Sequence, residues 1–200
     1  MSIAALDGLD WPKFEPGSVW LIGAGPGAPG LLSLLGYHAL QWADVVVYDA
    51  LVSEALPALA NPAAGRIHSG KRGGKPSPKQ ADISPQLVEL TRAGKRVARL
   101  KGGDPFIFGR GGEEAGALAR AGVPFRTVPG ISSGLGGLAY AGIPVTHAAL
   151  PGQVVVEATL GEAVGLGGLE TPAIVALGPE GAYREVRDWY GPELRGNALG

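Results

Sequence analysis

Apolar runs that close on a glycine or an acid recur along this chain, each followed by a segment whose apolar residues fall at helical spacing. That alternation leaves few folds open. Residues 18–23 read as a buried first strand, 44–49 as a second ending on Asp49, Ile67 as the mark of a short third, 97–100 as a fourth and 123–128 as a fifth. Between them the spacing predicts helices over 31–42, 86–93, 113–121 and 130–141, with Leu31, Leu34, Leu35 and Leu40 as the apolar face of the first. Ser53 is placed to cap a short helix starting at Glu54. Strands alternating with helices imply an α/β fold with a doubly wound, mostly parallel sheet. Right-handed crossovers then carry the loops at Gly25, Asp49, Gly102 and Ser132 to one edge of that sheet.

The pattern defines a domain over residues 18–147, preceded by an N-terminal extension, 1–17, that reads as a frayed lead-in. After Thr146 it weakens. Residues 153–157 and 173–177 read as strands flanking a helix-like piece, 160–166, and two strands make no stable domain of their own. Residues 148–200 must therefore lean on the first domain or on another chain.

Residues 100–114 are the most informative stretch for chemistry. A strand-to-helix connection here packs five glycines with Lys101, Asp104 and Arg110. In open α/β sheets ligands sit outside the carboxyl ends of the strands, where such loops lie. Glycine lets the backbone approach a ligand without Cβ obstruction, and Asp104 can accept a hydrogen bond from a ligand hydroxyl or ammonium group. The competing reading is an ordinary glycine-rich turn.

Residues 66–110 hold eleven Lys/Arg against three acids in a protein of formal net charge −1. An asymmetry of that size marks a site for a polyanion. Arg92, Lys95 and Arg96 decorate a helix end and favour its dipole. Lys71, Arg72, Lys75 and Lys79 sit in a Pro/Gly-rich loop, 70–85, with few packing duties. A nucleic-acid partner is disfavoured, because no aromatic platform interleaves the cations and the isoelectric point is about 6.3. With no cysteine, disulfides and thiolate metal sites are excluded, and the scattered His38, His68 and His147 predict no metal centre. A hydrophobic share of 46% beside 18% charged residues describes neither a disordered nor a membrane-spanning chain. The start lacks a basic, apolar leader, so the chain reads as cytoplasmic.

Gly25, Gly27 and Gly30 after the first strand match a dinucleotide fingerprint, with Asp49 where a ribose-binding acid would lie. Taken alone this suggests an NAD-dependent oxidoreductase. Pro26 and Pro29, however, remove two amides that a pyrophosphate would want.

The segments 23–27, 48–53, 70–72, 128–133 and 140–147, together with Lys-Gly-Gly-Asp-Pro-Phe-Ile-Phe-Gly-Arg-Gly-Gly-Glu-Glu at 101–114, resemble the uroporphyrinogen-III C-methyltransferases of the tetrapyrrole methylase superfamily. The likeness is nearly continuous from Val19 to His147. It then breaks: residues 148–153 resemble the penultimate segment of the family and 153–189 its final strands, as though most of a second α/β domain had been lost from the middle.

The resemblance implies transfer of methyl groups from S-adenosylmethionine to C2 and C7 of uroporphyrinogen III, giving precorrin-2 for sirohaem or cobalamin. It implies Asp49 as proton acceptor and Lys71 as proton donor; a helix cap is the competing role for Asp49. Pro26, Gly102, Gly103, Asp104, Ile107, Ser132 and Ser133 would hold the donor. Arg72, Lys75, Lys79 and Arg110 would meet the carboxylates of the acceptor. A homodimer is implied, with no nucleic-acid or membrane partner. A binding-only relic that holds tetrapyrrole or pairs with an intact subunit is the alternative from another class.

Overall fold

A computed structural model of the chain describes residues 8–69 and 83–142. They fall in two compact units that divide after Gly130. In the first, strands β1 (Val19–Gly23), β2 (Val45–Tyr48), β3 (Gly65–His68), β4 (Val97–Lys101) and β5 (Phe125–Val128) form one sheet in the order β3-β2-β4-β1-β5. Every pairing is parallel. The α/β class and parallel sheet read from the sequence are therefore present.

Valine-rich runs suit this arrangement because β1, β2 and β4 are buried on both faces, as crossover helices demand of a parallel sheet. Successive residues point to opposite faces. Trp20, Ile22, Val46, Tyr48, Ala98 and Leu100 pack in one core with Ala39 and Leu40 of helix α1 (Leu34–Trp42). On the opposite face Val19, Leu21, Val45, Val47 and Val97 pack with Leu87 of α2 (Ser84–Arg92) and Leu118 of α3 (Gly111–Arg120). The edge strands β3 and β5 are partly exposed. In the second unit, α4 (Ser133–Tyr140) follows Ser132, whose backbone is extended at φ −58°, ψ 137°.

Several boundaries differ from the sequence reading for local reasons. Residues Pro29–Leu31 form a 3₁₀ turn and Leu32 is extended, so α1 begins only after Ser33, whose Oγ accepts the Gly36 N–H at 3.1 Å. Leu34 is 53% exposed and lies off the apolar face. No α-helix starts at Glu54; a 3₁₀ turn forms instead over Pro57–Leu59. Pro85 starts α2 early, since a first-turn proline loses no hydrogen bond. At the head of β5, the Val123 N–H closes the end of α3 on the Leu118 carbonyl at 3.0 Å, and the strand begins at Phe125. The lead-in is docked from Trp11 onward: Trp11 stacks on His38 at 4.9 Å and Phe14 on Trp20 at 4.7 Å. The elements expected within 153–177 lie outside the described residues. Among the described residues no helix is long and apolar enough to cross a membrane.

Candidate functional site

The carboxyl ends of β1 and β4 open into two glycine-rich loops that are tied to each other. Gly25 donates to the Gly103 carbonyl at 3.1 Å and Gly103 returns a bond to Gly25 at 2.8 Å. Gly103 sits at φ 67°, a conformation open to glycine at little cost. A third backbone crosses there. A Cβ on Gly130 would collide with the Gly103 carbonyl and lie 2.6 Å from the Gly23 Cα. These glycines serve backbone-to-backbone packing, a role the ligand-approach reading of the sequence did not include.

Asp104 clamps the same junction. Its Oδ1 accepts the Phe106 N–H at 2.8 Å and its Oδ2 the Gly130 N–H at 3.0 Å. Each oxygen keeps a further lone pair for a ligand. From Asp104 the loop folds tightly back, the Gly111 N–H reaching the Pro105 carbonyl at 2.9 Å. This turn forces Phe108 and Arg110 to positive φ, 53° and 56°. It presents Phe106, Ile107 and Phe108 to solvent, 56%, 44% and 78% exposed. Arg110 is also exposed, with its Nε 3.4 Å from Glu113 Oε1.

Asp49 follows β2 on the same edge. Its Oδ1 accepts the Leu51 N–H at 3.1 Å, an Asx turn rather than a helix cap, and Leu51 is exposed against Gly102. Its Oδ2 lies 3.3 Å from Arg99 Nη2. Behind it stands a buried charge cluster. Arg99 and Lys101 project from β4 on the face covered by α3, where Glu114 Oε1 accepts from Lys101 Nζ at 2.7 Å and lies 3.2 Å from Arg99 Nη2. All three residues are under 9% exposed. Burial, then the Arg99 guanidinium, pushes the Lys101 ammonium below its ordinary range, while Glu114 and Asp49 oppose that.

The fold thus brings Asp49, Gly102, Gly103, Asp104 and the loop of Pro26 to one edge of the sheet, with Ile107 and Arg110 on the turn beyond. Ser132 and Ser133 open α4 in the second unit, and Ser132 makes no side-chain cap. Lys71, Arg72, Lys75 and Lys79 lie outside the described residues. The sequence reading counts Arg99 and Lys101 among the cations of 66–110 and gives Glu114 no role, whereas the structure buries all three together. Their signal was present: cations at alternate positions of a run expected to be buried, followed by an acid in the next helix. The dinucleotide reading fails on local geometry, because α1 opens four residues after Gly30 and its first turn is capped by Ser33. Among the described residues no group of three or more His, Asp or Glu is clustered as metal ligands.

A family model for tetrapyrrole (corrin/porphyrin) methylases matches residues 18–193. The chain belongs to this family. Among its relatives, a uroporphyrinogen-III C-methyltransferase of Sinorhizobium sp. is 68% identical over 136 residues, covering 68% of this tetrapyrrole methylase and 49% of the relative. A sirohaem synthase of Actinobacillus pleuropneumoniae serotype 7 is 57% identical over 131 residues, covering 66% of the chain and 27% of that protein. The chain therefore spans about half the length of the first relative and about a quarter of the second. The crystal structure of a Thermus thermophilus uroporphyrin-III C-methyl transferase complexed with S-adenyl homocysteine superposes with a TM-score of 0.57 at 47% identity, over 66% of this chain and 55% of that one.

Proposed function

We propose that this chain transfers methyl groups from S-adenosylmethionine to C2 and C7 of uroporphyrinogen III, giving precorrin-2 on the way to sirohaem or cobalamin. The observation that carries the reading is the shared sheet edge of Asp49 and the Gly102–Asp104 turn in a chain so similar to a uroporphyrinogen-III C-methyltransferase. The edge fits the donor. Gly102 and Gly103 offer backbone without side chains, Leu51 and Ile107 offer exposed apolar surface, and Asp104 retains acceptor capacity for a ribose hydroxyl or an ammonium group.

S-adenosylmethionine would supply an electrophilic methyl on sulfur. Pro26, Gly102, Gly103, Asp104 and Ile107, with Ser132 and Ser133, would hold it. Forming the new C–C bond breaks the C–S bond, and the electron pair leaves with S-adenosylhomocysteine. The acceptor ring gains positive charge, which proton loss to Asp49 relieves, and the likeness to the family assigns Lys71 as the proton donor. Arg72, Lys75, Lys79 and Arg110 pair with the acceptor's carboxylates. Two copies pair as a homodimer in the cytoplasm.

The test is anaerobic turnover of uroporphyrinogen III, followed by absorbance and by mass gain, beside calorimetry with S-adenosylhomocysteine. Methylated product and donor binding are both expected. Asp104→Ala should abolish donor binding. Neutralising Lys75 or Lys79 should leave donor binding intact and weaken tetrapyrrole binding in a salt-dependent way. Tetrapyrrole binding with no methyl transfer would move the chain to the binding-only class. Binding of neither ligand would defeat both readings.

A further inference from the structure

Glu114 carries an imbalance that packing does not explain. Its Oε1 receives Lys101 Nζ at 2.7 Å, Arg99 Nη2 at 3.2 Å and Arg99 Nε at 3.4 Å. Among the described residues its buried Oε2 has no hydrogen-bond partner. Replacing three such buried ions with apolar side chains is commonly neutral or stabilising, so the cluster is poorly accounted for as a device for stability. Its geometry runs in one direction. Lys101 and Arg99 both engage Glu114, and Arg99 Nη1 is pinned on the Leu100 carbonyl at 2.8 Å. Nη2 is thereby left to bridge Glu114 and Asp49, at 3.2 Å and 3.3 Å. Asp49, 26% exposed, is the member of the cluster that reaches solvent, on the edge that carries the candidate site.

We propose that Glu114 is a positioning residue, which fixes the Arg99 guanidinium so that Arg99 in turn holds the Asp49 carboxylate at the site edge. The consequence for catalysis rests on the reading of Asp49 as proton acceptor; the coupling itself does not. Two cations and two carboxylates balance in the cluster. Without the Glu114 charge, Arg99 and Lys101 are left with Asp49 as their carboxylate, and the guanidinium loses the anchor on its α3 side. Nothing on Asp49 has been removed, yet its carboxylate no longer has a fixed neighbour.

The experiment compares the full chain with Glu114→Gln, Arg99→Lys and, as a control on the exposed face of α2, Glu89→Gln. Carbon NMR of the Asp49 carboxyl, assigned through Asp49→Asn, and nitrogen NMR of the Arg99 guanidinium report the coupling directly. Glu114→Gln should displace the Asp49 carboxyl signal as Arg99→Lys does and release the hindered rotation of the Arg99 guanidinium, while Glu89→Gln leaves both at wild-type positions. In turnover, Glu114→Gln should lower kcat by about tenfold or more with KM and donor affinity unchanged, since misplacing a reacting group by about 1 Å costs on the order of a hundredfold. If Glu114→Gln does not fold, the double variant Glu114→Gln, Lys101→Met removes one cation with the anion, and the same displacement is expected of it. An Asp49 signal unmoved by loss of Glu114, a rise in KM at constant kcat, or an unchanged kcat overturns the proposal. A wild-type chain without turnover would defeat the functional reading alone, and the NMR comparison would still decide the coupling.

Discussion

Gly130→Ala tests whether the site loops are held by backbone contact. Its Cβ would meet the Gly103 carbonyl and lie 2.6 Å from the Gly23 Cα and 2.8 Å from the Gly23 carbonyl carbon, all backbone atoms that no side-chain rotation can move aside. Overpacking of this kind costs about 1–3 kcal/mol. Relieving it pushes Gly130 away from Asp104 Oδ2, whose 3.0 Å bond to the Gly130 N–H is charge-assisted and worth about 1.5–3 kcal/mol. Together the loss is about 2.5–6 kcal/mol, a large share of the 5–15 kcal/mol typical of a whole domain. With a urea slope of about 2 kcal/mol per molar, the midpoint should fall by roughly 1.3–3 M. The assay is urea unfolding followed by circular dichroism and by tryptophan fluorescence, to which buried Trp20 of β1 contributes. Gly112→Ala in α3 is the control, because its Cβ would meet nothing within 4 Å. It should be neutral or stabilising by up to about 1 kcal/mol. If Gly130→Ala shifts the midpoint by less than about 0.5 M, near 1 kcal/mol, the three backbones have room to part and the packing argument is wrong.

Asp44→Asn should cost about 1 kcal/mol, because the Asp44–Arg96 pair has two-point geometry but is 31% and 28% exposed. Hydrogen bonding from Arg96 holds the Asp44 carboxyl below its ordinary value of 3.8. Its contribution is therefore fully present above that value and is lost as pH falls through the lower folded one, so the variant should show a flatter acid limb in a pH series of thermal melts. Trp11→Ala should cost about 0.5–1.5 kcal/mol beyond lost burial and free the His38 ring, whose pKa burial holds below 6.5. Proton NMR should find it moved back toward 6.5; because a lowered histidine pKa makes stability fall as pH drops through that value, the variant should lose less stability than wild type between pH 7 and 5. An unshifted His38 would mean that the lead-in does not desolvate it.

The fold was legible in the residues because its signals are short in range. Runs such as Val45–Tyr48 can be read as buried strands from composition, and helices such as α3 from spacing and flanking glycine. Boundaries slipped where one proline or one cap decided them, as at Pro29, Pro57 and Pro85. Right-handed parallel crossovers place Asp49 and the Gly102–Asp104 turn on one sheet edge and leave them nowhere else.

Which residues end strands and which loops share an edge follow from periodicity and handedness, both legible along the chain. Tertiary structure alone decided how those loops are held. The Asp104–Gly130 bond spans 26 residues, the Gly23–Gly130 crossing more than a hundred, and the Arg99–Glu114 pair joins a strand to a helix 15 residues on. Whether Arg99 and Lys101 meet an acid or water depends on the register of β4 against its neighbours and on the rotation of α3 over the sheet. Neither is written in local spacing, because both are set by how side chains from distant segments fill one shared space.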